Sequence, residues 1–458
     1  MESSDMTDDT PTTDSTAEQT TTDSTQGLTA TDSTQDLTAT DSTQDLTATD
    51  STQDRPAETT RRGWLRAGTG LLAGGLIAGC LGGGGDSTDT GAGDDSSPIP
   101  TDSPTATPTP GDDPGSGTET PTASGPDTPY SVSMAPVGEV TFEEVPETWV
   151  ANNGSWADMG IALGQDPPEG VWLTGRYHTQ YYDAIPDLSV DKSDMVSLYQ
   201  GEIDKELFYD LDTDIHVIDP NFLMNRFKGW DQSDVDEIAR EVAPFFGNSI
   251  FSTGYGWHED YQYYSLYEAF EKLAAAFGER ERYEAFVDLH EQFQSNVAEI
   301  VPDDESERPA VAIMWANGDA PEDFSPYLIG EGTSFKQWRD LSVRDALART
   351  DVQDFHNNRT RVDYETLLEI DPEILLFRGQ EAKTRSEFED TIVSHLEDHS
   401  LASGLTAVQN GDVYRGGSLY QGPITNMVLT ERGASQVYGV DEELFDRERV
   451  VEIVDGDL

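Results

Sequence analysis

The chain has 458 residues, 89 acidic and 27 basic, and a formal net charge of -62. Lysine is confined to Lys192, Lys205, Lys228, Lys272, Lys336 and Lys383, so there is no basic footprint to neutralise phosphates, and nucleic acid is excluded as a partner. Cys80 is the only cysteine, which rules out a disulfide within the chain.

Residues 1–60 are polar and low in complexity. A nine-residue unit begins at Thr22 and recurs at Thr31, Thr40 and, degenerate, Thr49. Roughly one leucine per copy cannot stack a solenoid core, so disorder is expected. The repeats precede an export signal and would be removed with it. No methionine lies between Met6 and Met134, so a shorter product would need another start codon. Residues 61–80 carry Arg61, Arg62, Trp64 and Leu65, a Gly-rich apolar run from Leu71, then Ile77, Ala78, Gly79 and Cys80. The run falls short of the roughly 20 apolar residues a bilayer span needs. The arrangement resembles a twin-arginine signal ending in a lipobox, with Cys80 lipidated after cleavage. Together with the acidic surface, which stays hydrated when molar salt screens its self-repulsion, it resembles a lipoprotein of salt-loving archaea. Residues 81–136 are rich in Gly, Ser, Thr, Pro and Asp, and read as a disordered tether.

The folded part is expected over 137–458, a length that permits one large or two medium domains. Val140–Pro146 opens it with a strand. Trp149–Gly154 leads into a helix over Trp156–Gly164, stopped by glycine. A short helix closing at Leu207–Tyr209 precedes an apolar strand at Ile215–Asp219. Residues 262–300 are helical with a break at Gly278. Tyr283, Phe286, Val287, His290, Phe293, Val297 and Ile300 form a stripe at spacings of three and four. At 1.5 Å per residue the second of these helices extends roughly 33 Å. The pattern then restarts: a buried strand at Pro309–Trp315, a helix over Tyr364–Glu369, a strand to Phe377, a hairpin over Ala407–Arg415 turning at Asn410-Gly411, and a helix over Pro423–Tyr438. Alternating strands and helices predict an α/β fold with parallel sheets.

Two phrases match across the halves: Glu206–Asp214 before one strand and Glu365–Glu373 before another. Both resemble the "glutamate, helix, leucine, proline-aspartate, strand" phrase of the iron-siderophore and cobalamin substrate-binding proteins of ABC importers. Thr213 replaces the proline in the first, and Glu373 the aspartate in the second. The resemblance covers about 137–440. It implies two Rossmann-like α/β lobes, at 137–277 and 302–458, bridged by a single long helix at 278–301, with a ligand cleft between them. It also implies a monomer without enzyme activity or a resident cofactor, which takes up a metal chelate (ferric siderophore, corrinoid or haem). The partner would be an ABC permease with its cytoplasmic ATPase. By position in the phrase, Glu206 and Glu365 match the family's acidic pair that docks on permease arginines.

Cleft residues should follow strand ends, with aromatics for apolar area and arginines for anionic chelates. The candidates are Trp156, Arg176, Tyr177, Tyr181, Trp257, His258, Trp315, Tyr327, Arg378 and Tyr420; His178 and Asn317 stand beside them. His395 and His399 have helical metal-binding spacing, but Glu397 and Asp398 between them mark a solvated face, and no protein metal site is expected. An extracellular hydrolase is the rival class; the chain has no P-loop, Gly-x-Ser-x-Gly elbow or His-Glu-x-x-His motif. A surface adhesin would suit the tether, but adhesion modules are usually β-sandwiches, and here strands alternate with helices.

Overall fold

The computed structural model describes residues 126, 128–200, 203–227, 229–355 and 360–458. Arg61, Arg62, Cys80, the nine-residue repeats and most of the expected tether lie outside the described residues.

Structure begins before the expected boundary at 137. Strand β1 (Tyr130–Met134) pairs antiparallel with β2 (Gly138–Phe142). Tyr130, Val132 and Met134 alternate with serines, a period-two pattern that composition alone hides. Tyr130 stacks on Phe142 at 5.3 Å, and Met134 is fully buried.

The first parallel sheet has the order β5 (Val196–Ser197), β4 (Gly170–Val171), β3 (Trp149–Ala151), β6 (Ile215–Val217). Asn153 caps helix α1 (Gly154–Ala162) by accepting the Ser155 N–H, and Gly164, at φ +70°, follows its end. Every residue of α1 is buried, so its ionisable member, Asp158, must find partners inside the protein. Helix α2 (Lys205–Leu211) leads into β6.

Helices α3 (Leu266–Phe277) and α4 (Arg280–Ile300) lie in the chain between the two sheets, separated at Gly278 with φ +72°. Phe286, Leu289, Phe293 and Val297 form the buried stripe of α4.

The second sheet runs β11 (Val413–Arg415), β10 (Ile374–Arg378), β7 (Ala310–Ala316), β8 (Phe324–Tyr327), with β9 (Arg344–Asp345) beside the start of β7. All its pairings are parallel except that of β8 with β7. Helix α5 (Tyr364–Ile370) precedes β10. The hairpin expected over 407–415 does not form. Residues Thr406–Asn410 are helix α6, Gly411 caps it at φ +80°, and β11 lies parallel to β10. An Asn-Gly pair serves a helix C-terminus as well as a turn, because both need a residue at positive φ. Helix α7 (Pro423–Tyr438) has the expected limits and packs on α1 and α4; α8 (Arg447–Asp455) ends the chain.

The two matched phrases fold alike. Asp204 and Asp363 cap α2 and α5, and Asp212 and Asp371 end them in the left-handed region at φ 44° and 43°. In the first half Asp214 accepts the Thr148 N–H at 2.8 Å and returns its own N–H to the Thr148 carbonyl at 2.9 Å. In the second, Glu373 accepts the Ala310 N–H at 3.1 Å and returns its N–H at 3.0 Å. Each acidic residue thereby clamps the start of the neighbouring strand.

Candidate functional site

The two halves share one continuous apolar core, which takes in Trp156 and Tyr182 from the first and Phe335 and Ile424 from the second, and a seam of polar contacts runs across it. At one end the first turn of α1 faces residues 418–425. Ser155 Oγ accepts the Gln421 N–H at 3.0 Å and lies 3.3 Å from Thr333 Oγ1. One turn on, Asp158 Oδ2 accepts the N–H groups of Ile424 (2.9 Å) and Thr425 (3.1 Å) and the Thr425 hydroxyl (3.2 Å), while Oδ1 accepts Tyr182 Oη at 2.6 Å. A side chain from the first half thus caps a helix of the second. A Cβ at Gly422 would lie 2.4 Å from Asp158 Oδ2, so only glycine allows this approach. Burial pushes the Asp158 carboxyl up to about 6 against the opposing pull of these hydrogen bonds.

A second buried carboxylate crosses the seam in the other direction. Glu381, just beyond β10, accepts Arg432 through both oxygens (2.9 and 3.1 Å), the Gly417 N–H (2.8 Å) and, from the first half, Tyr181 Oη (2.5 Å). Gln180 Nε2 donates to its carbonyl at 2.9 Å. Burial pushes the Glu381 carboxyl up, but the Arg432 charge and hydrogen bonds prevail and hold it at about 2.

The expected cleft residues divide between seam, core and one outlying cluster. Arg176 lies 5.4 Å above the ring of Trp315, whose Nε1 donates to Asn317 Oδ1 at 3.0 Å. Trp315 lies inside β7 rather than after it, because the strand continues to Ala316. Tyr420 is buried edge-on against Phe251 at 5.5 Å. Tyr177 is buried, its hydroxyl 2.8 Å from that of Tyr182. His178, next to it, is held neutral, its pKa lowered to about 4 chiefly by burial. Trp156 is fully buried in the core. Tyr327 belongs to β8 and is buried. Arg378 is the last residue of β10, not the first of a loop, and has no exposed surface. It donates to the Ser334 carbonyl and lies over the rings of Phe335 (4.3 Å) and Tyr327 (5.9 Å), while its Nε and Nη1 have no partner. Burial lowers its pKa to about 10.

Trp257 stacks on Tyr255 at 4.4 Å, and His258 on Tyr261 at 4.0 Å. Tyr255 touches Phe251, so a run of rings links this cluster to Tyr420. His258 Nδ1 is 2.5 Å from Tyr263 Oη, and burial lowers its pKa to about 4.

Glu206 and Glu365 are exposed in the first turns of α2 and α5. His399 stacks on Tyr364 at 4.1 Å, 5.8 Å from His395. Among the described residues no group of three or more His, Cys, Asp or Glu is placed to hold a metal ion. A depression of about 630 Å³ lined by Arg308, Trp338, Arg339 and Glu373 opens near Ala310, at the end of β7 remote from Trp315. Those arginines are tied to the fold, Arg339 to the Gly330 and Gly332 carbonyls and Arg308 to that of Pro302.

Sequence reasoning missed Asp158, Glu381 and Arg432. Asp158 did carry a signal, a single acid within the apolar run Trp156–Ala162. Glu381, in the polar stretch Gly379–Lys383, carried none.

A family model described as periplasmic binding protein matches residues 154–420. Among solved structures, the chain is similar to the iron uptake ABC transporter substrate-binding protein PiuA from Streptococcus pneumoniae, with 20% identity, TM-score 0.46, and coverage of 68% of this chain and 99% of that one. It is similar to SirA of Staphylococcus aureus complexed with staphyloferrin B, with 15% identity, TM-score 0.44, and coverage of 67% and 98%. It is also similar to the periplasmic catecholate-siderophore binding protein VctP from Vibrio cholerae, with 18% identity, TM-score 0.45, and coverage of 68% and 100%. No curated protein matches the chain.

Proposed function

Because the chain belongs to the periplasmic binding protein family, whose members work outside the cytoplasm, we propose that it is the substrate-binding component of an ABC importer, capturing a ferric siderophore or similar anionic metal chelate. The two sheets are the cores of two lobes, α4 is the helix that bridges them, and the seam is the closed cleft. The protein performs no chemistry; it binds, closes and hands over its cargo. Cys80 carries the lipid that holds it, as a monomer, on the outer face of the membrane. Glu206 and Glu365, at equivalent places on α2 and α5, meet the permease, one carboxylate from each lobe, so that docking tests the register of both.

The observation that carries this reading is Arg378. A fully buried guanidinium with two unpartnered nitrogens is expensive to fold around, since burying a charge without full pairing costs several kcal/mol, roughly. At the end of β10, with only the charges of Asp354 and Glu381 acting on it and two nitrogens unbonded, this cation fits a site that takes an anionic ligand. Arg176 on Trp315 adds a second cation on an aromatic platform.

Tryptophan fluorescence titration in molar salt with ferric catecholates, ferric hydroxamates, cobalamin and haem tests the reading. Saturable binding of an anionic ferric chelate is expected. Preference for cobalamin or haem would move the assignment to those ligands, and binding of none of the four would refute it.

A further inference from the structure

The two carboxylates buried in the seam differ in what parting the halves would leave behind. From that difference we propose that the halves turn about a fixed joint at Asp158 and are held shut, before any ligand arrives, by a releasable latch at Glu381 whose tongue is Tyr181. The inference rests on the reading that the halves separate to admit a ligand.

Asp158 depends on the opposite half for most of its partners. The N–H groups of Ile424 and Thr425 and the Thr425 hydroxyl come from α7; only Tyr182 belongs to its own half. Gly422, at the N-cap of α7, has no side chain to offer the helix. Separation here would leave the Ile424 and Thr425 N–H groups without their acceptor and the N-terminus of α7 uncapped. The close approaches at Gly422, on Asp158, and at Gly332, on the Phe251 backbone, show how tightly the elements are packed on this side. This contact stays made while the rest of the seam moves.

Glu381 is arranged the other way. Arg432 and the Gly417 N–H, both from its own half, supply three of its bonds. The opposite half adds the Tyr181 hydroxyl and, on the carbonyl, the Gln180 amide. When the halves part, the Glu381 charge remains paired, and a phenol and an amide pass to water, which satisfies both. Arg176 over Trp315 is a contact of the same kind, whereas the buried Thr333 and Ser334 N–H groups, bonded to the Ile250 and Phe251 carbonyls at 3.0 and 3.3 Å, lie beside Ser155 of α1 and belong with the joint. Residues 176–181 therefore lift away from Trp315 and Glu381 while α1 and α7 remain joined.

Cys80 is the only cysteine, so one spin-label pair reports the motion. Asp210→Cys on α2 and Glu369→Cys on α5, both exposed, are introduced into the Cys80→Ser chain, and the label separation is measured by pulsed EPR without ligand. The parent is expected to show one narrow separation. Tyr181→Phe, which removes only the hydroxyl, should raise the population of a longer separation by about tenfold or more, the usual worth of a hydrogen bond to a charged group. Asp158→Asn should lower Tm without producing that longer separation; if it does not fold, Thr425→Val, which deletes one donor at the same joint, takes its place. An unchanged distribution in Tyr181→Phe, or the same longer separation in the joint variant, overturns the proposal. Opening in Tyr181→Phe that no ferric chelate reverses upholds the latch and refutes the ligand reading. Closure by a chelate with no effect of Tyr181→Phe does the converse.

Discussion

The guanidinium of Arg378 lies 4.3 Å from the centre of the Phe335 ring, and the pair is wholly enclosed. The side chain stacks there and donates to the Ser334 carbonyl, the Asp354 and Glu381 carboxylates act on its charge, and Nε and Nη1 have no hydrogen-bond partner. A guanidinium buried with so few bonds costs stability, and the proposed ligand would supply the bonds it lacks. Arg378→Met, similar in length and apolar, is therefore expected to raise unfolding free energy by about 1–3 kcal/mol while weakening chelate binding at least about tenfold, the effect of one lost charge-assisted bond. Denaturant melts and binding titrations on the same preparation read both. A variant that is less stable and still binds normally would contradict the assignment.

Asp158→Ala leaves two N–H groups at the start of α7 and the Thr425 hydroxyl without their acceptor. The expected loss is about 3 kcal/mol, from the cap and the orphaned donors together. Equilibrium urea unfolding in molar salt measures it; a loss below about 1 kcal/mol would mean that water replaces the carboxylate.

The two buried carboxyls give opposite pH signatures. Asp158 is raised from 3.8 to about 6, so the folded chain holds its proton more tightly than the unfolded one. Its contribution is complete below about pH 4 and declines as pH rises through 6, by roughly 3 kcal/mol. Glu381 is lowered from 4.5 to about 2, so its contribution is complete above about pH 4.5 and disappears as pH falls toward 2. Stability of the parent relative to Asp158→Asn should thus fall between pH 4 and 6, whereas relative to Glu381→Gln it should fall below pH 4.5. Melts across pH 2–7 at fixed salt check both signs.

Much of the fold was legible because it rests on local pattern. The spacing of Phe286, Phe293 and Val297 marked α4, and Pro423 at its start and Gly439 beyond its end bounded α7. Where local chemistry serves two structures, sequence misled. Asn410-Gly411 read as a hairpin turn and is a helix cap. The seam was not legible, since Asp158 meets its partners 266 and 267 residues away, and no local period encodes that. Arg378 was expected after a strand ending at Phe377 and is instead the last residue of that strand. Its enclosure depends on Phe335 and Tyr327, brought together only by the tertiary fold.

Glu206 and Glu365 sit in the first turns of two helices that share capping residue, length and left-handed terminus. Exposed and outside the seam, they should matter to neither folding nor capture. Glu206→Ala/Glu365→Ala is expected to change stability by no more than about 0.5 kcal/mol and to bind ligand normally, yet to abolish uptake in vesicles carrying the permease and ATPase. Uptake at the parent rate would remove the docking role.

The most direct test of the account is calorimetric titration of the parent and Arg378→Met with two ferric chelates of similar size, a trianionic tris-catecholate and a neutral tris-hydroxamate, in molar salt. The account predicts that the parent binds the anionic complex more tightly and that Arg378→Met abolishes most of that preference. Equal affinity for the two complexes, or a preference untouched by the substitution, would contradict it.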